Sequence, residues 1–256
     1  NIFINPDLQG GESTESHSTK TLPQVLNLRE GGETMPHTLE DTQKTLRLTE
    51  IFFSIQGESS YAGLPCIFIR TTGCDLRCTW CDTEYAFYGG KKWTIAAILE
   101  HIAQWPCRLV ELTGGEPLLQ KHLPLLAEIL MEKGYTVLIE TGGHRDVSIL
   151  DKRVVKIIDV KCPGSGEAAK NDWQNFAHLD DKDQIKFVIK DRADYDFACE
   201  VIAKYKLEKR PHLLFSPVFG VMGYQQLAEW ILRDGLPVRM QLQLHKSIWH
   251  PDTKGV

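Results

Sequence analysis

Cys74, Cys78 and Cys81 are spaced C-x3-C-x2-C in the run Gly73-Cys74-Asp75-Leu76-Arg77-Cys78-Thr79-Trp80-Cys81-Asp82. Three thiolates on so short a segment can converge on one metal centre, and soft sulfur donors suit an iron–sulfur cluster. A fully capped four-iron cluster needs four protein ligands. Three leave one iron open, as a catalytic zinc site keeps one position open. An open iron can chelate the amino and carboxylate groups of a methionine moiety, and its electron can cleave the adjacent sulfonium. The other reading of the same spacing is a zinc knuckle that takes its fourth ligand from elsewhere, with His101 and Cys107 as candidates. Cys66, Cys107, Cys162 and Cys199 stand singly, Cys66 and Cys199 within apolar or helical patterns, and read as inert buried thiols.

The rest of the composition narrows the setting. Hydrophobic residues are 42% and charged residues 25% of the 256, a balance that builds a globular core. The formal charge of −5, without a block of Lys or Arg, argues against nucleic-acid binding driven by counterion release. No apolar run nears the ~20 residues that span a bilayer, and there is no signal-peptide core, so no membrane partner and a cytoplasmic location are expected. An odd count of seven cysteines, three of them crowded together, fits metal or redox chemistry in a reducing compartment better than a disulfide scaffold.

The elements that must position these thiols read as α/β. Residues 1–45 are rich in Gly, Ser, Thr and Glu without sustained period and read as a polar, flexible leader, followed by one catalytic domain over 46–256. Strand patterns recur at Leu46–Ser54, Cys66–Thr71, Leu109–Thr113, Thr136–Thr141, Val154–Val160, Gln184–Ile189, Leu213–Ser216 and Arg239–Leu244. Helical patterns lie at Thr94–Trp105, Leu118–Lys133, Ala193–Tyr205 and Tyr224–Arg233, with Thr94 as an N-cap and Gly134 as a C-terminal stop. Alternating strands and helices imply a mostly parallel sheet, open or curled into a barrel, with ligands beyond the C-terminal strand ends. The cysteine run follows one predicted strand and Thr113-Gly114-Gly115-Glu116-Pro117 ends another. A Gly-Gly pair there lets backbone approach a ligand closely.

Together these two motifs resemble the radical S-adenosylmethionine superfamily. Further stretches, Ile55-Gln56-Gly57-Glu58-Ser59, Arg70, Cys81-Asp82-Thr83 and Gln243-Leu244-His245-Lys246, make residues 46–256 similar to the family of 7-carboxy-7-deazaguanine synthases. The resemblance implies a partial or modified (β/α) barrel and a lyase that rearranges 6-carboxy-5,6,7,8-tetrahydropterin to 7-carboxy-7-deazaguanine with loss of ammonia, in queuosine biosynthesis. It also implies a 4Fe-4S cluster, S-adenosylmethionine, Mg2+, a flavodoxin or ferredoxin as electron donor, and a homodimer.

Residue by residue, it implies that Cys74, Cys78 and Cys81 hold the cluster and Thr83 the magnesium. Trp80, Cys81, Asp82, Gly115, Asp159, Val160, Lys161, Ser216, Pro217, Val218 and Phe219 would meet S-adenosylmethionine. Ile55, Gln56, Gly57, Glu58, Arg70, Thr113, His245 and Val256 would meet the pterin, Val256 through its α-carboxylate. The chemistry of the side chains agrees: an amide and a carboxylate suit a pterin edge, and a planar guanidinium suits a carboxylate. Hard oxygens at Asp82 and Thr83 suit magnesium. The leader has no counterpart in the family pattern. A glycyl-radical or ribonucleotide-reductase activating enzyme, and a non-catalytic metal-binding or electron-transfer module, are the competing readings.

Overall fold

The computed structural model describes residues 37–256. Residues 1–36 of the expected leader lie outside the described residues. Residues 37–44 include a short helix, α1 (Leu39–Thr42), opened by a capping box between Thr38 and Asp41.

The strands are β1 (Thr45–Ile55), β2 (Pro65–Thr71), β3 (Lys91–Thr94), β4 (Leu109–Gly114), β5 (Thr136–Thr141), β6 (Val155–Val160), β7 (Gln184–Ile189), β8 (Leu213–Pro217) and β9 (Arg239–Met240). They form one sheet in the order β3-β1-β2-β4-β5-β6-β7-β8-β9. From β2 to β9 every pairing is parallel, while β1 runs antiparallel to both β2 and β3. Parallel neighbours need crossovers, and α2 (Ile95–Ile102), α3 (Leu123–Glu132), α4 (Arg192–Tyr205) and α5 (Tyr224–Asp234) lie on such connections. Thr94 caps α2 by accepting from Ala97 N, as its position suggests. Gly134 follows α3 at φ +82°, a turn that releases the chain into β5. No helix among the described residues is long and apolar enough to cross a membrane.

Register makes the two faces of the sheet chemically different. Ile67, Val110 and Val137 are cross-strand neighbours on one face, as are Ile69, Leu112 and Ile139, and Val160 and Phe187 share it further along. All are buried in the hydrophobic core. Each such side chain contributes about 1.5–3 kcal/mol by the area it removes from water. The opposite face carries Arg70, Glu111, Thr113, Glu140, Asp159, Lys186 and Ser216. With one face apolar and the other polar, the strand register is fixed, since a slip of one residue would exchange them.

Two expected elements differ. The helix expected over Leu118–Lys133 is a 3-10 turn (Pro117–Leu119) followed by α3, because Glu116 caps the turn through Leu118 N and the helix restarts beyond His122. The strand expected over Arg239–Leu244 stops at Met240, and His245 opens a short helix, α6 (His245–Ile248). The chain peels away there to meet the loop after β1. Gln241 Oε1 accepts from Ser59 N (2.6 Å), and Leu244 N donates to Gly57 O (2.9 Å). Gln184 on β7 likewise accepts from Ser60 N (2.9 Å). Loop 56–60 thus joins the β1 end of the sheet to β7 and to the chain beyond β9, curling the sheet into a partial barrel.

Candidate functional site

At the C-terminal ends of the strands the curled sheet encloses a cavity of about 720 Å³. Its wall on one side is the cysteine loop. Cys74, Cys78 and Cys81 all line the cavity and are half-buried; Cys66, Cys107, Cys162 and Cys199 do not line it. All seven are free thiols. Burial pushes the Cys74, Cys78 and Cys81 thiols up, and Lys161 pulls each of them back. His101 sits on α2 between Trp93 and Trp105, and Cys107 Sγ donates to Pro65 O (3.2 Å), so neither zinc-knuckle candidate reaches the loop. Among the described residues no three His, Cys, Asp or Glu side chains converge on a single metal ion. Three cysteine thiols lining one cavity are the soft donor set that an iron–sulfur cluster takes.

The loop is held by its surroundings rather than by its own regular structure. Gly73 N donates to Ala86 O (2.8 Å), Arg77 N to Glu167 (2.6 Å) and Thr79 N to Ser165 O (3.0 Å). Asp75 is tied to His144 (2.7 Å) and Arg145 on the loop after β5. The Gly-Gly pair has a packing use as well: a Cβ at Gly115 would overlap the Gly73 carbonyl and Cys74 Cβ. Gly115 therefore lets the β4 end pack against the cysteine loop itself. Glu116, fully buried, accepts from Leu118 N, Thr141 Oγ1 and Gly142 N and fastens β4 to β5 beneath the loop.

Every residue expected to meet the nucleoside cofactor lines the cavity except Val160. Side chains alternate across a strand, so Asp159 and Lys161 face the cavity while Val160 turns into the helix-side core, 2% exposed. Lys161 bonds Asp159 Oδ2 (2.9 Å), and Asp159 Oδ1 is buried without a hydrogen-bond partner among the described residues. An orphaned acceptor in the same cavity as the three thiols is chemistry that an incoming N–H or O–H completes. Ser216 and Pro217 end β8, Val218 follows, and Phe219 has Lys246 Nζ 5.0 Å from its ring centroid.

All the residues expected to meet the substrate line the same cavity, together with residues 251–256. Gln56 is more committed than expected. Its carbonyl accepts from Glu58 N (2.9 Å) and its amide donates to Glu111, so it shapes the turn that presents Glu58. Gly57 leaves room for His245, whose ring a Cβ there would strike. Glu58 accepts from Lys186 Nζ (3.0 Å), Gln241 (3.1 Å) and Gln243 (2.9 Å). Burial works to raise the Glu58 carboxyl, but Lys186 and Gln243 outweigh it and hold it below the usual range. Burial pushes the His245 imidazole down, towards its neutral form. Thr83 opens the 3-10 turn Glu84–Ala86, but its side chain makes no capping bond there. Its hydroxyl donates to Asp82 Oδ1 (3.0 Å), and against partial desolvation Lys246 (2.8 Å) holds the half-exposed Asp82 carboxyl well below the usual range. Arg70 gives its Nε to Glu50 (2.8 Å).

Sequence reasoning missed the floor of the cavity. Lys186 pairs with Glu58 and Glu140 and stands 3.8 Å from Asp159, while Glu111 lies beside them. Burial, then the nearby Glu140 and Glu58, push Glu111 well above the ordinary carboxylate range, favouring its neutral form. The signal available was a single charged residue at an alternate position within each apolar strand, as in Leu109-Val110-Glu111-Leu112 and Ile185-Lys186-Phe187.

Comparison with known proteins bears on this arrangement. The model of the Radical SAM superfamily matches residues 68–230. The chain is 48% identical to the 7-carboxy-7-deazaguanine synthase of Koribacter versatilis, across 82% of this chain and 100% of that one. It is 45% identical to the enzyme of the same name from Chlorobaculum tepidum, across 84% and 99%. The crystal structure of QueE from Escherichia coli superposes with a TM-score of 0.68 over 82% of this chain and 100% of that one, at 22% identity, a likeness of fold.

Proposed function

The chain belongs to the 7-carboxy-7-deazaguanine synthases of the Radical SAM superfamily, and from that membership we propose how its cavity divides the work. It is a lyase, and its reaction is the radical-mediated ring contraction of 6-carboxy-5,6,7,8-tetrahydropterin to 7-carboxy-7-deazaguanine, with loss of ammonia, in 7-deazapurine biosynthesis. A 4Fe-4S cluster and S-adenosylmethionine supply the electron and the radical that start it. The observation that carries the division of roles is that three cysteines, not four, reach the cavity.

Cys74, Cys78 and Cys81 hold the cluster on a loop that Gly115 and Glu167 keep in place. Trp80, Asp82 and Gly115, the unpartnered Asp159 Oδ1 with Lys161, and the β8 end from Ser216 to Phe219 hold S-adenosylmethionine. On the substrate side, the Nη groups of Arg70 take the pterin carboxylate, since its Nε is already given to Glu50. Glu58, Thr113, neutral His245 and residues 251–256 enclose the ring, above the floor of Glu140 and Lys186. Ile55, Gln56 and Gly57 set the turn that carries Glu58. Thr83, with the ionised Asp82 beside it, anchors magnesium, which keeps most of its ligands from water and substrate. An electron donor of the flavodoxin or ferredoxin type, a homodimer, a reducing cytoplasmic setting and a catalytic domain spanning 46–256 complete the proposal.

The test is a magnesium titration of product formation and of S-adenosylmethionine binding. Thr83→Ala should lose most of the magnesium response while binding S-adenosylmethionine as the unaltered protein does. An unchanged magnesium response would move the metal away from Thr83.

A further inference from the structure

Tyr85 stands two residues after Thr83, in the 3-10 turn Glu84–Ala86, and two cations approach its ring. Arg70 Cζ is 5.9 Å from its ring centroid, and Lys254 Nζ, from the C-terminal segment, is 4.4 Å from it. The Tyr85 hydroxyl donates to Glu50 Oε1 (2.7 Å), the same oxygen that accepts Arg70 Nε (2.8 Å). Glu50 is the cross-strand partner of Arg70, and the β1–β2 register shifts between Leu48 and Glu50. Such irregularities re-aim side chains beside functional sites. Gly255 passes next to Glu50: a Cβ there would be 3.9 Å from Glu50 Oε2. Phe52 supports Arg70 from another side, 5.7 Å from Cζ to its centroid.

We propose that Tyr85 and Glu50 are positioning residues that couple the C-terminal segment to Arg70, so that recognition of the substrate carboxylate and closure of residues 251–256 are one event. This rests on the reading that Arg70 takes that carboxylate. A guanidinium and an ammonium on one aromatic ring repel each other, and a single Glu50 carboxylate serves both Arg70 and Tyr85. Glu50 already pairs with Arg70, so a carboxylate arriving at the Arg70 Nη groups adds a second negative charge there and lowers the net positive charge that Lys254 meets, and Lys254 docks more firmly on Tyr85. The linkage is reciprocal: a docked tail raises affinity for a pterin that carries the carboxyl over one that lacks it.

The experiment is hydrogen exchange, read by mass spectrometry, of the peptide covering residues 249–256 in the reconstituted enzyme with S-adenosylmethionine. It compares 6-carboxytetrahydropterin with tetrahydropterin lacking the carboxyl. The carboxylated pterin should slow exchange about fivefold more than its counterpart, the scale of one partly desolvated cation–π contact. Tyr85→Leu and Lys254→Met should each abolish the difference, the double variant should do no more, and Tyr85→Phe should retain part of it. Lys254 is exposed, so its substitution leaves the fold intact. Equal protection by both pterins, full protection in Tyr85→Leu or Lys254→Met, or additive losses in the double variant would each overturn the coupling. Affinities of the two pterins for Arg70→Met separate the two readings. A ratio unchanged from the unaltered protein removes the Arg70 reading. A collapsed ratio with the Tyr85→Leu tail still protected removes the coupling alone.

Discussion

Replacing Lys186 by Met is the most informative single perturbation of the cavity floor. Its side chain is 6% exposed, and its ammonium is flanked by Glu58 at 3.0 Å, Glu140, and Asp159 at 3.8 Å. Despite its burial, these carboxylates hold it well above the ordinary lysine value. Methionine keeps the length and loses the charge, leaving buried carboxylates uncompensated. Breaking a buried ion pair from one side costs about 3–5 kcal/mol, and in a chain of this size each kcal/mol shifts Tm by about 2–4 °C, so a fall of roughly 10 °C is expected at pH 8. The pH dependence fixes the cause. In the unaltered protein the Glu58 value lies below the ordinary one, so its contribution is present above that value and lost as pH falls. Without Lys186, burial and mutual repulsion raise Glu58 and lift Glu140 further. The variant then takes up protons on folding and loses stability as pH rises. The gap between the two proteins should therefore widen from pH 5 to pH 8 in anaerobic urea unfolding followed by tryptophan fluorescence. Adding Glu140→Gln should narrow it. A loss below about 1 kcal/mol at pH 8, the range of exposed pairs, or the same loss at both pH values, would refute the reasoning.

Further expectations concern the cluster loop and the remaining floor carboxyl. Cys74→Ala, Cys78→Ala and Cys81→Ala should each lose stable iron and sulfide content, while Cys199→Ala, on α4 and away from the cavity, should keep both; full content in any loop variant contradicts this. Gly115→Ala should lower cluster content although it alters no ligand, because its Cβ would push Gly73 and Cys74 out of place. Normal iron content and electron paramagnetic resonance spectra in that variant would disprove the role given to Gly115. Glu111→Gln should raise Tm, and more so at pH 8 than at pH 5. The Glu111 value is raised in the fold, so its contribution is full below the ordinary carboxylate value and lost as pH rises above it. A gain that grows toward low pH would reverse that sign.

Much of this was legible in the sequence because it is local. The patterns at Thr136–Thr141 and Gln184–Ile189 are strands over the same residues in the fold, since apolar β-branched runs between turn signals need no partner to be recognised. The cysteine spacing and the Gly-Gly-Glu-Pro stretch were readable for the same reason. What depends on pairing distant segments was not. The Arg239–Leu244 pattern is cut short because Gln241 and Leu244 bond to the loop after β1, almost two hundred residues earlier in the chain. β3 and the tetrad of Glu58, Glu140, Asp159 and Lys186 are likewise products of register, which assembles on one face charges that look isolated along the chain. Val160 shows the converse: a residue between two cavity residues is carried to the other face by the alternation of the strand.

The central claim, a small-molecule radical lyase and not an activator of another protein, is tested most directly by anaerobic turnover of the reconstituted chain alone. The mixture holds 6-carboxy-5,6,7,8-tetrahydropterin, S-adenosylmethionine, dithionite and magnesium, with no other protein present. The account predicts 7-carboxy-7-deazaguanine and ammonia in equal amounts. Reductive cleavage of S-adenosylmethionine with the pterin recovered unchanged would contradict it.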